Sequence, residues 1–66
     1  MDPRQAAQRL RTIQSAFRVA VRLRPREATE EARQQLQRVA FQITPESDPE
    51  LQRLFDEVRA EINQPR

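Results

Sequence analysis

Hydrophobic residues recur along this chain at three- and four-residue spacing, in three blocks. The first is Ala6, Leu10, Ile13, Phe17, Ala20 and Val21. The second is Ala28, Ala32, Leu36, Val39, Ala40 and Ile43, and the third is Leu51, Leu54, Phe55, Val58 and Ile62. On a helical wheel each set occupies about one third of the circumference, with arginine, glutamine and carboxylates filling the rest. The pattern predicts an all-α fold of three short amphipathic helices, over about 3–23, 26–43 and 49–63, in a single domain with 64–66 as a tail. Helices 2 and 3 are expected to form an antiparallel hairpin, with helix 1 packed against it or swapped into a neighbouring copy.

Prolines mark the boundaries. Asp2-Pro3 and Asp48-Pro49 each read as an N-cap followed by a first-turn proline, and Ser47 with Glu50 offers a capping box as an alternative start for the third helix. Pro25 cannot continue a helix and biases Arg24 away from α geometry, so the first helix must end near Leu23. Pro25 can itself open the second helix, whose Glu27, Glu30 and Glu31 suit a positive N-terminus.

Two stretches also alternate as strands would. Phe17, Val19, Val21 and Leu23 alternate with Arg18, Ala20, Arg22 and Arg24, and Val39, Phe41 and Ile43 repeat the pattern. A strand–helix–strand unit over 17–24 and 39–44 is therefore the competing reading. It is disfavoured because both runs continue a helical face from upstream, because Ala, Arg, Leu and Gln favour helix, and because two strands stabilise little on their own.

Length and composition then narrow the function. At 66 residues the chain buries a small share of its surface, and with no cysteine or histidine it has no disulfide or zinc staple. Self-association or a protein partner is the expected remedy. The missing histidine and cysteine also remove the usual neutral-pH base and the common metal ligands. The hydroxyls of Thr12, Ser15, Thr29, Thr44 and Ser47 have no base at a recognisable spacing. Without glycine there is no phosphate-cradling loop. No enzyme activity, cofactor, metal or small-molecule substrate is expected. No apolar run is long enough for a transmembrane helix or secretory leader, and a cytoplasmic location is the expectation.

The formal charge of +2 hides an asymmetry. Residues 1–26 carry seven arginines and one acid, a net +6, whereas residues 27–66 carry five arginines and nine acids, a net −4. Arg4, Arg11, Arg18 and Arg22 line one narrow stripe of the first helix, roughly opposite its core face. The plain expectation is a solvated face whose arginines pair with the acidic helices 2 and 3. An alternative is a face for an anionic partner, nucleic acid above all, since guanidinium suits phosphate. Helix 3 speaks against a helix-turn-helix, because Glu50, Asp56, Glu57 and Glu61 would meet phosphate. A membrane surface is less economical still, because helices 2 and 3 already account for the apolar face of helix 1.

Three large apolar residues fall outside the stripes: Val19 and Leu23 widen the face of helix 1, and Phe41 sits off that of helix 2. Phe41 is expected either to serve the core or self-association, capping the bundle end or packing on Val19 or Leu23, or to anchor a contact with another protein. The sequence therefore points to a small non-enzymatic interaction protein, an adaptor or regulator acting through helical faces, as a homo-oligomer or on a larger partner.

Overall fold

The computed structural model describes residues 2–42 and 48–64. They form three helices: α1 (Pro3–Leu23), α2 (Pro25–Gln42) and α3 (Pro49–Ile62). The strand alternative is excluded over 17–23 and 39–42, which lie inside α1 and α2; Ile43 and Thr44, which completed that reading, lie outside the described residues, as does Ser47. Tail residue Gln64 is described and exposed, and 65–66 are not. Among the described residues no helix is long and apolar enough to cross a membrane.

The boundaries arise from capping chemistry. Asp2 accepts the Arg4 amide at 3.1 Å, with Pro3 occupying the first position of α1, where its missing N–H costs nothing. Asp48 Oδ1 accepts two amides, Glu50 at 3.0 Å and Leu51 at 3.3 Å, which makes Asp48 the N-cap of α3. Removing it should matter. Asp48→Ala is expected to cost about 1 kcal/mol, because two orphan amides of α3 lose their acceptor. In a urea melt the midpoint should fall at unchanged slope, and a midpoint equal to wild type would mean that the cap contributes nothing.

A single residue joins α1 to α2. The Arg24 amide donates to Ala20 O at 2.8 Å and closes α1, while its carbonyl accepts the Ala28 amide at 2.9 Å and opens α2. Arg24 sits at φ −141°, ψ 76°, outside the helical region, as a residue before proline should. No described residue has a positive φ, so the corner is turned without the geometry that a glycine would be needed for.

Each stripe read from the sequence faces inward. Ala6, Leu10, Ile13 and Phe17 meet Ala28, Ala32, Leu36 and Val39 from α2 and Leu51, Phe55, Val58 and Ile62 from α3, all buried, with Ala20, Val21, Ala40 and Leu54 partly covered around them. No polar side chain is buried among the described residues. Ile43, expected on the same stripe, lies outside the described residues.

The helices run up, down and up. Gln5 and Gln8 share a groove with Arg38, whereas Ala16 and Ala20 share a depression with Ala28 and Ala32, so α1 and α2 are antiparallel. The C-terminal end of α3 meets the N-terminal end of α2, where Ile62 and Asn63 adjoin Pro25 and Thr29. The α2–α3 pair is thus antiparallel as expected, but it is the slightest of the three contacts, and α1 with α2 is the most extensive. The principal hairpin is α1–α2. The physical reason is local: the one-residue corner leaves these helices no room to separate, and Ala28 and Ala32 let them approach closely.

Candidate interaction surface

The arginine stripe of α1 is exposed along its length, but its four members do not share one environment. Arg18 meets Glu61 of α3 in a two-point contact, Nε to Oε2 at 2.8 Å and Nη2 to Oε1 at 2.8 Å. Gln14 Nε2 donates to the same Glu61 Oε1 at 3.1 Å. Hydrogen bonding to Glu61, and then its charge, hold the Arg18 pKa above the usual arginine value. An arginine is charged at every physiological pH, so protonation of Arg18 does not switch this contact.

Glu61 is not an isolated acid. Glu50, Glu57 and Glu61 lie on one stripe of α3, and at Glu61 that stripe meets the arginine stripe of α1. Arg18–Glu61 joins the two; among the described residues Arg4, Arg11 and Arg22 form no ion pair. Carboxylates lying within about 8 Å, a Debye length at physiological salt, still lower the potential that a phosphate would meet there. Arg24, at the corner, pairs with Glu27 at 3.4 Å, with both side chains mostly in water.

Among the described residues Val19, Leu23 and Phe41 are the large apolar side chains left in solvent, at 68, 78 and 84% exposure. Phe41 packs neither into the bundle nor on Val19 or Leu23, which corrects that expectation. The antiparallel hairpin explains it. Phe41 lies beyond Val39 on the outer side of α2, near the start of α1, while Leu23 lies at the other end. The separation along the bundle is on the order of 25 Å at 1.5 Å per residue. Val19 and Leu23 are one turn apart on α1 and form a continuous apolar patch.

Reading the helices separately does not single out one further feature. Gln5, Gln8, Arg9 and Thr12 of α1 face Gln35 and Arg38 of α2 across an open groove floored by Ile13. Further along the same hairpin, Glu31 joins Ala16, Ala20 and Ala28 around a second depression. The face of the bundle away from α3 is therefore basic toward the Phe41 end and carries an acid toward the Leu23 end. The signal is present in the sequence as i, i+7 spacing of Glu31 and Arg38, but its meaning depends on which helix lies alongside.

The hydroxyls considered as nucleophiles serve their own helices. Thr12 Oγ1 donates to the Gln8 carbonyl at 2.9 Å and Thr29 Oγ1 to the Pro25 carbonyl at 2.8 Å. Ser15 is exposed on α1, whereas Thr44 and Ser47 lie outside the described residues. Arg33 Nε donates to Asn63 Oδ1 at 2.8 Å and ties α2 to the end of α3. Comparison with protein-family models, with curated proteins and with solved structures finds no match.

Proposed function

We propose that this protein is a small non-enzymatic interaction module, of adaptor or regulatory type, that binds protein through Val19, Leu23 and Phe41. The observation that carries the reading is selective exposure. Among the described residues every other large hydrophobic side chain is buried or partly covered, whereas these three stand in solvent. Aromatic side chains are enriched at protein interfaces, and Phe41 is the exposed aromatic among the described residues, with Val19 and Leu23 adding apolar surface at the other end of the bundle. The back-bonded threonines and the lack of histidine and cysteine support a non-catalytic role.

The experiment is a comparison of affinity capture from the source cell by the wild-type chain and by Val19→Ser/Leu23→Ser/Phe41→Ser. All three positions are solvent-exposed, so the variant should keep its helical circular dichroism. Proteins retained by the wild type should be lost from the variant. Identical captured sets from a folded variant would sink the reading.

A second reading, nucleic-acid binding through Arg4, Arg11 and Arg22, rests on their lack of ion pairs among the described residues. It is set against the bordering acids of α3 and the engagement of Arg18 by Glu61. A salt titration of duplex DNA and RNA binding decides it: steep loss of affinity with salt, blunted in Arg11→Ala, would favour it, and no binding at low salt would remove it.

A further inference from the structure

We propose that the groove between the first half of α1 and the second half of α2 binds a phosphorylated peptide segment, with its phosphate held between Arg9 and Arg38. This site shares no residue with the surface of Val19, Leu23 and Phe41 and is a second, separate binding element of the chain.

Gln5, Gln8, Arg9 and Thr12 of α1 and Gln35 and Arg38 of α2 line the groove over a floor of Ile13. No carboxylate is among these residues, whereas Glu30 and Glu31 line the other two depressions described on the bundle. Antiparallel pairing sets side by side residues that are equally far from the Arg24 corner, as Ala16 and Ala32 are. Arg9 and Arg38 are equally far from it to within one residue, about 1.5 Å along the bundle. Their guanidiniums therefore flank the groove at one level. Among the described residues neither makes an ion pair, and the side chains of Gln5, Gln8 and Gln35 make no hydrogen bond. Two like charges across one groove repel each other, and an anion between them replaces that repulsion by two attractions.

Charge selects the anion. A phosphomonoester carries close to two negative charges at neutral pH and three acceptor oxygens, which match two guanidinium forks. A nucleic-acid strand spreads single charges along its length and needs a track of cations. Arg4, Arg11 and Arg22 do not extend this pair into a track, because they lie about 150° around α1 from Arg9.

The rest of the lining selects the carrier. Glutamine side chains both donate and accept, which suits the N–H and C=O groups of an extended backbone. From Gln5 to Thr12 the lining spans about 10 Å of helix, the length of three extended residues at about 3.3 Å each. The groove is open, so a chain can enter at one end and leave at the other. A small metabolite there would stay largely in water, unlike the buried ligand of an enclosing pocket.

The test follows side-chain N–H groups of the full chain by NMR at constant ionic strength, during titration with a short alanine peptide carrying a central phosphoserine. Saturable shifts are expected at the Gln5, Gln8 and Gln35 amides and at Nε–H of Arg9 and Arg38. A dissociation constant of about a millimolar fits a few exposed charge-assisted bonds. The unphosphorylated peptide should not bind. Arg9→Gln and Arg38→Gln should each weaken binding about tenfold. Arg11→Gln removes the same charge from another side of α1 and should weaken it less than about twofold. All three positions are exposed, so helical circular dichroism should be unchanged. Val19→Ser/Leu23→Ser/Phe41→Ser should bind the phosphopeptide as wild type does, which keeps this site distinct from the apolar surface. Failure to saturate at about 50 mM peptide, binding of the unphosphorylated form, or equal loss in Arg11→Gln overturns the site. Inorganic phosphate binding as tightly as the peptide, or a single-stranded oligonucleotide binding more tightly through the same two arginines, overturns the peptide as its occupant.

Discussion

Leu10→Ala is expected to remove most of the stability of this protein. Leu10 is fully buried, on the inner stripe of the helix with the most extensive contacts to the other two. Truncating a buried leucine costs about 2–5 kcal/mol, from lost transfer energy and from the cavity left behind. A domain of this length has roughly 3–10 kcal/mol in all. Each kcal/mol lowers the melting temperature by about 4–8 °C at this size, so the midpoint should fall by tens of degrees. Phe41→Ala is the matched control, because its larger side chain is 84% exposed and its loss should leave the monomer's midpoint nearly unchanged. Thermal melts followed by helical circular dichroism on dilute protein make the comparison. If the two variants melt together, the division between core and surface is wrong.

The second large effect comes from adding atoms. Ala32 is buried on the α1-facing side of α2, beside Ala28, across from Phe17 and Ala20. A leucine there has no space unless the α1–α2 pair separates, and the one-residue corner at Arg24 prevents separation near that end. Ala32→Leu should therefore destabilise by about 1–3 kcal/mol despite adding hydrophobic surface. Gln34→Leu, exposed on the same helix, should be close to neutral. Urea melts of both variants test the claim, and equal midpoints would mean that close approach at the alanines does not hold the hairpin together.

Much of this architecture is legible in the chain because its signals are local. The two Asp-Pro starts and the Pro25 corner depend on a few adjacent residues, and they place the three helix starts and the end of α1 to within one residue. The inner stripes of α1 and α3 are equally local, since helical spacing alone selects Leu10 or Val58. What the spacing does not encode is which neighbour each stripe meets. That is why the sequence suggests α2–α3 as the hairpin, when the alanines of α2 and the short corner make α1–α2 the principal one. The same limit applies to charge. Arg18 and Glu61 are 43 residues apart, and only the parallel course of α1 and α3 brings their stripes together. Phe41 is ambiguous in the sequence for a related reason: its place off the main stripe is clear, but its distance from Val19 and Leu23 is a property of the antiparallel pairing.

The corner at Arg24 has a bearing on how the chain can vary. Its amide ends one helix and its carbonyl begins the next, so the phase of α2 about its own axis is locked to that of α1. Inserting or deleting one residue within the first turn of α2 would rotate the remainder of that helix by about 100°. Ala32, Leu36 and Val39 would then turn away from the core, and Arg38 would leave the groove it shares with α1. Length changes at this corner are thus closed to the protein, whereas substitutions on the exposed side of either helix remain open.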